Sequence, residues 1–81
     1  MRIYLLPQAV EDLEAVHDPL YSKLIAKIQL LKEFPSLGPA LYGPFAGYRA
    51  LTVDLFRVIY RIVTDEHLEV AYIRHCKRKL K

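Results

Sequence analysis

A single cysteine, Cys76, stands in 81 residues, so no internal disulfide can form. Nor does it combine with histidine into a zinc site, because His17, His67 and His75 are scattered without ligand spacing; neither a metal nor another cofactor is expected. Long apolar runs are missing too. Arg or Lys interrupts each one well before the roughly 18 residues of a membrane helix, and the stretch from Ile3 to Leu6 is too short for a signal-peptide core. These absences point to a soluble, cytoplasmic protein with no membrane partner. There is no internal repeat and no low-complexity tract. Glycine and proline are scarce outside one stretch, residues 35–47, which holds all three glycines and three of the five prolines and reads as an ordered loop pinned by Leu37, Leu41 and Phe45. Acid is absent from the end of the chain: residues 74–81 carry five basic groups, against seven basic and nine acidic groups before them. The net charge of +3 therefore belongs to the tail, which suggests a polyanionic partner, although a basic terminus that only aids solubility has the same composition.

What remains is enough for one small domain spanning residues 1–81. A hydrophobic fraction of 53% with 26% charged residues suits a folded core, not a disordered chain. Arg2 to Leu6 is short, β-prone and stopped by Pro7, which suits the first position of a helix. From Gln8, the residues Ala9, Val10, Leu13 and Val16 recur at helical spacing, with Glu11, Asp12 and Glu14 in the early turns where the helix dipole favours acid. Asp18 and Pro19 then form an N-cap and first-turn pair for a second helix. It should run to about Phe34, burying Leu20, Leu24, Ile28 and Leu31 and leaving Lys23, Lys27 and Lys32 in water. Pro35 ends it.

The stretch from Tyr48 to Ile62 is rich in aromatic and β-branched residues and predicts two strands around a tight turn near Asp54. In its second arm Phe56, Val58, Tyr60 and Ile62 point one way, and Arg57 and Arg61 the other. A further turn through Thr64 to His67 leads to a last strand, Leu68 to His75. With that turn centred on Asp65 and Glu66, Ile62 lies opposite Glu69, Tyr60 opposite Ala71, Val58 opposite Ile73 and Arg57 opposite Arg74. A three-residue first turn over Thr52 to Asp54 sets Arg49 opposite Arg57 and yields a row of Arg49, Arg57 and Arg74; a two-residue turn sends Arg49 to the other face. Like charges facing each other across a sheet cost about 0.2–1 kcal/mol, so a chain that keeps such a row has a use for it, and guanidinium forks match phosphate oxygens. An ordinary half-exposed sheet, its arginines paired with Asp54, Glu66 or Glu69, would read the same way. The order β-α-α-β-β-β implies a two-layer α+β fold: an N-terminal strand, a helical hairpin, then a three-stranded antiparallel meander in a mostly antiparallel sheet, with the arginines on the open face.

A strand running into a Pro-x-Ala helix, a hairpin closing on Phe34-Pro35, the run Pro39-x-Leu41-x-Gly43-Pro44, Gly47-Tyr48-Arg49, and above all Phe56-Arg57-Val58-Ile59-Tyr60-Arg61-Ile62 resemble the RelE/ParE toxins of bacterial toxin-antitoxin modules. The resemblance covers essentially the whole chain and implies a RelE-like fold. It also implies one of two activities. RelE-like members cleave mRNA on the ribosome without metal, through attack of a ribose 2′-OH on the adjacent phosphate. ParE-like members inhibit DNA gyrase and catalyse nothing themselves; a degenerate member that binds without cleaving is a third possibility. Carried over by position, Arg57 matches the strand arginine on the scissile phosphate, Arg49 a basic residue of the preceding strand, and His75 with Lys77 and Arg78 the basic end of the last strand, where an Arg or His takes part in proton transfer; Arg74 joins the catalytic set through the arginine row. Lys77, Arg78, Lys79 and Lys81, with Arg61, are expected to bind RNA, and Tyr72 to stack on a base or to pack against Ile59.

Two departures from the family pattern stand out. The hairpin is one residue longer than usual, with Leu51 where many members keep a second basic residue, and the chain stops at Lys81 without the terminal tyrosine of many RelE-like nucleases. Arginine hardly deprotonates, so His75, a residue type that exchanges protons near neutral pH, is the candidate acid-base group. In this register it points to the packed side opposite Phe56 and reaches the site only if the strand bends at its end. Tyr60 is expected in the core, Tyr4 and Tyr42 carry no signal, His17 reads as a helix end and His67 as a turn residue. The resemblance further implies a small acidic antitoxin that covers the basic side.

Overall fold

The structure, a computed structural model, describes residues 1–75; Cys76, Lys77, Arg78, Lys79 and Lys81 lie outside the described residues. In chain order the elements are β1 (Arg2–Leu5), α1 (Pro7–Glu14), α2 (Leu20–Leu30), a 3₁₀ turn (Gly43–Phe45), β2 (Arg49–Val53), β3 (Phe56–Thr64) and β4 (His67–His75). The strands form one sheet in the order β1-β4-β3-β2, with β1 parallel to β4 and the other pairs antiparallel. This is the expected α+β fold. No helix among the described residues is long and apolar enough to cross a membrane.

One face of the sheet is covered by the helices. Ala9 and Leu13, four residues apart, are the buried positions of α1; Leu24 and Ile28 repeat that spacing in α2, and Leu31 follows just beyond it. They pack on Leu51, Val53, Val58, Tyr60, Leu68, Val70 and Ile73 from the strands. A side chain such as Leu24 or Leu68, fully removed from water, contributes about 1.5–3 kcal/mol. Val10, expected on this face, is 39% exposed instead.

Helix α2 stops four residues earlier than its periodicity predicts. Leu31, Lys32 and Glu33 donate to carbonyls three residues back, a tightened last turn that the approaching Pro35 imposes. Leu31 stays in the core while Phe34 swings into solvent. At the other end the Asp18 carboxylate accepts from the Ser22 backbone N–H (3.0 Å) and hydroxyl (2.6 Å), and these bonds hold its pKa below the usual value.

Loop 35–47 is not pinned as expected. Leu37 and Phe45 are exposed, and polar groups hold the loop instead. The hydroxyl of fully buried Tyr60 donates to the Pro35 carbonyl (2.6 Å) and accepts from the Gly38 N–H (2.9 Å), while Arg49 donates to the Gly38 carbonyl (2.8 Å). Gly38 is obligatory here for lack of space: a Cβ would come within 2.8 Å of the Ala50 backbone. A lone bridge between Ala40 and Arg49 carries the loop into β2.

The register departs from expectation at three places. The first turn uses two residues, Asp54 and Leu55, so that Val53 pairs with Phe56 and Arg49 with Tyr60. Asp54 supplies the positive φ (54°) that such a turn requires. Between β3 and β4, Arg57 pairs with Arg74 and Val58 with Ile73 as predicted, but Ala71 is then skipped, so Tyr60 meets Val70 and Ile62 meets Leu68, and Val63 is skipped in turn, so Thr64 meets His67. Strict alternation would have turned Glu69 toward the helices and Leu68 and Val70 to water. The bulge at Ala71 reverses both, which is its physical reason.

Candidate functional site

The uncovered face of the sheet separates into two electrostatic halves. Toward the β3–β4 turn Arg61 is paired: it lies opposite Glu69 at 3.3 Å, with its guanidinium 5.7 Å from the Tyr48 ring centre, while Arg2, opposite His67, donates to the Tyr4 hydroxyl (3.5 Å). His67 Nε2 is 3.5 Å from the other Glu69 oxygen, and its ring meets Tyr4 edge-on at 4.5 Å. Arg61, expected to bind RNA, is thus engaged by a carboxylate.

At the other end Arg57 faces Arg74, and among the described residues neither has a carboxylate within 4 Å. Arg74 lies over the Tyr72 ring at 4.7 Å, a cation–π contact of about 0.5–1 kcal/mol that offsets part of the like-charge repulsion. Tyr72 is opposite Ile59, the cross-strand position expected of it, and its ring lies on the arginine face. These residues line a groove of about 370 Å³, completed by His75 from the strand end and by Leu41, Tyr42 and Phe45 from the loop.

The expected three-arginine row is corrected to a pair. With the two-residue turn, Arg49 points to the helix side, where it is half-buried and holds Gly38; Thr52 takes the place opposite Arg57. His75 pairs with Phe56 as predicted, and the two rings meet edge to face at 5.0 Å. Being the last residue of β4 and exposed, His75 still reaches the rim of the groove. Arg57, Arg74, His75 and Tyr72 therefore converge, whereas Arg49 and Arg61 do not join them. Such a site can bind a phosphate between two guanidinium groups with a histidine alongside and flat rings nearby. No group of three His, Cys, Asp or Glu among the described residues is placed to hold a metal.

Two contributions escape a strand-by-strand reading. Tyr42 and Phe45 belong to the loop, and its bonds to Tyr60, Arg49 and Tyr48 bring them over the sheet. Asp12 Oδ2 accepts from the Ile73 backbone N–H (2.8 Å), satisfying the β4 edge where β1 has ended at Leu5; the unpaired length of β4 was the available signal.

A strand, two helices and a three-stranded meander in one sheet make up a fold found in toxin-antitoxin modules. The chain shares it with RelBE2, a toxin-antitoxin complex of Mycobacterium tuberculosis (18% identity over 90% of this chain and 94% of that one, TM-score 0.81), and with the chromosomal ParDE system of P. aeruginosa (16%, 95% and 97%, TM-score 0.76). YafQ of E. coli is similar as well (21%, 91% and 91%, TM-score 0.74). A search of the curated proteins finds no match. The family model for the ParE toxin of the type II toxin-antitoxin system parDE matches residues 3–80, and the chain belongs to that family.

Proposed function

We propose that the protein is the toxin of a type II toxin-antitoxin pair and acts as a ribosome-dependent endoribonuclease. The observation that supports this reading is the Arg57–Arg74 pair, without a carboxylate partner among the described residues, in a groove that His75 and Tyr72 also line. In the reaction the ribose 2′-OH loses its proton to His75, its oxygen forms a bond to the adjacent phosphorus, and the bond to the 5′-oxygen breaks. That oxygen takes a proton from water as it leaves, a 2′,3′-cyclic phosphate remains on the other fragment, and the two guanidinium groups stabilise the doubly charged phosphorane between them. Arg49 has no part in this chemistry, because it holds the loop from the opposite face.

In a translating ribosome extract, primer extension should show new mRNA 5′ ends within codons at the A site. Arg57→Ala should lower that cleavage by about 10²–10³-fold, the scale of losing one preorganised charge, with an unchanged melting temperature because Arg57 is exposed. Intact mRNA would reject the reading.

A second reading, a DNA gyrase inhibitor without catalytic activity, is favoured by the match to the ParE toxin family and by the loss of Arg49 from the cationic row. Its signature is inhibited supercoiling with intact mRNA. Under either reading the partner is a cognate acidic antitoxin, as the toxin-antitoxin complexes among the similar structures suggest, seated on the basic side of the sheet.

A further inference from the structure

We infer that the loop between α2 and β2 carries an aromatic clamp, Tyr42 with Phe45, for an unpaired nucleobase of single-stranded RNA. The clamp rests on the RNA reading of the arginine groove and adds to it the residues that hold a base.

Tyr42 is 85% exposed and Phe45 48% exposed. Their exposure does not come from a loosely attached loop. Leu41 donates to the Tyr48 carbonyl (2.9 Å), Ala46 to that of Gly43 (3.0 Å) and Tyr48 to that of Phe45 (3.0 Å), and Tyr60 and Arg49 tie the start of the loop to the sheet. Gly43 and Gly47, at φ 69° and 93°, make the bends on either side of the 3₁₀ turn. Two rings are thus held in water by a well-bonded backbone, at the groove where Tyr72 presents a third ring under Arg74.

Among the described residues, no acidic one lines this groove. Flat rings alternating with guanidinium groups match a chain that alternates flat bases with phosphates, which is how sequence-tolerant single-strand sites are built. A duplex is excluded because its base faces are already stacked. Exposed aromatics beside arginine also suit a protein contact, but the two facing guanidinium groups, with no carboxylate partner among the described residues, favour the polyanion.

The test compares wild type, Tyr42→Ala and Tyr42→Phe for mRNA cleavage in the translating extract, with antitoxin binding measured on the same three proteins. Loss of one stacked base is expected to lower cleavage by roughly 5- to 150-fold in Tyr42→Ala, and Tyr42→Phe should restore it because stacking needs the ring and not the hydroxyl. Tyr42 is exposed, so melting temperatures should agree. Wild-type cleavage that Tyr42→Ala leaves unchanged would overturn the clamp while the nuclease reading stands; failure of Tyr42→Phe to restore activity would overturn stacking. Unchanged cleavage with lost antitoxin binding would make the loop a protein contact. Absence of cleavage by wild type removes the nuclease reading and the clamp with it.

Discussion

Tyr60 shows how one side chain can serve core and loop together. Its ring fills the space between helices and sheet, and its hydroxyl satisfies Pro35 and Gly38. Tyr60→Phe leaves both groups without that partner and should lower stability by about 1–3 kcal/mol in urea unfolding. Burial raises the phenol pKa above 10.0, opposed by the Gly38 N–H and by Arg49. A raised folded-state value means that this contribution is complete below 10.0, the ordinary value, and is lost as pH rises through the folded one. Stability should therefore fall above pH 10, and Tyr60→Phe should remove that part of the alkaline loss in thermal melts. The core position of Tyr60 was legible from alternation along its strand. Its hydroxyl partners were not, because they lie 22 and 25 residues away in a loop without periodicity.

Elements are set by their ends as much as by their faces. The β2–β3 turn depends on Asp54 at φ 54°, a conformation that costs a non-glycine residue about 1 kcal/mol, while its exposed ion pair with Lys23 at 3.1 Å is worth little. Asp54→Gly should hold or raise stability by up to about 1 kcal/mol, and Asp54→Val should lower it, in denaturant melts. At the other edge, Asp12 joins α1 to β4 through the Ile73 N–H. Asp12→Ala should cost about 1–3 kcal/mol and speed hydrogen exchange at Ile73, whereas Asp12→Asn keeps an acceptor and should be milder. Strand and helix positions were readable from period; turn length was not. One residue in the first turn decided on which face Arg49 lies, and the bulge at Ala71 decided it for Glu69. In retrospect the spacing of Leu68, Val70 and Ile73, two and then three residues, marks that bulge.

For the molecule as a whole, the open face of the sheet holds the groove, with a carboxylate beside Arg61 and, among the described residues, none within 4 Å of Arg57 or Arg74. Association with an acidic antitoxin should therefore weaken as salt rises and be fastest at low ionic strength. Removing both Arg57 and Arg74 should slow association by about tenfold or more and flatten its salt dependence, with little change in fold, measured by stopped-flow mixing. A salt-independent complex would contradict this electrostatic account.

Local chemistry determined what was legible from sequence alone: which segments become strands and helices, that the arginine strands belong together, that Arg57 meets Arg74, and that Tyr60 is interior. Most follow from periodicity or from the few residues around a turn, and Arg57 meets Arg74 as the turn implies because the shifts at Val63 and Ala71 cancel. Tertiary structure alone decided that Arg49 serves the loop, that Glu69 silences Arg61, that Asp12 closes a strand edge, and that Tyr42 and Phe45 overlook the arginine pair. Those outcomes depend on register and on contacts between distant segments, where a slip of one residue exchanges the two faces of a sheet.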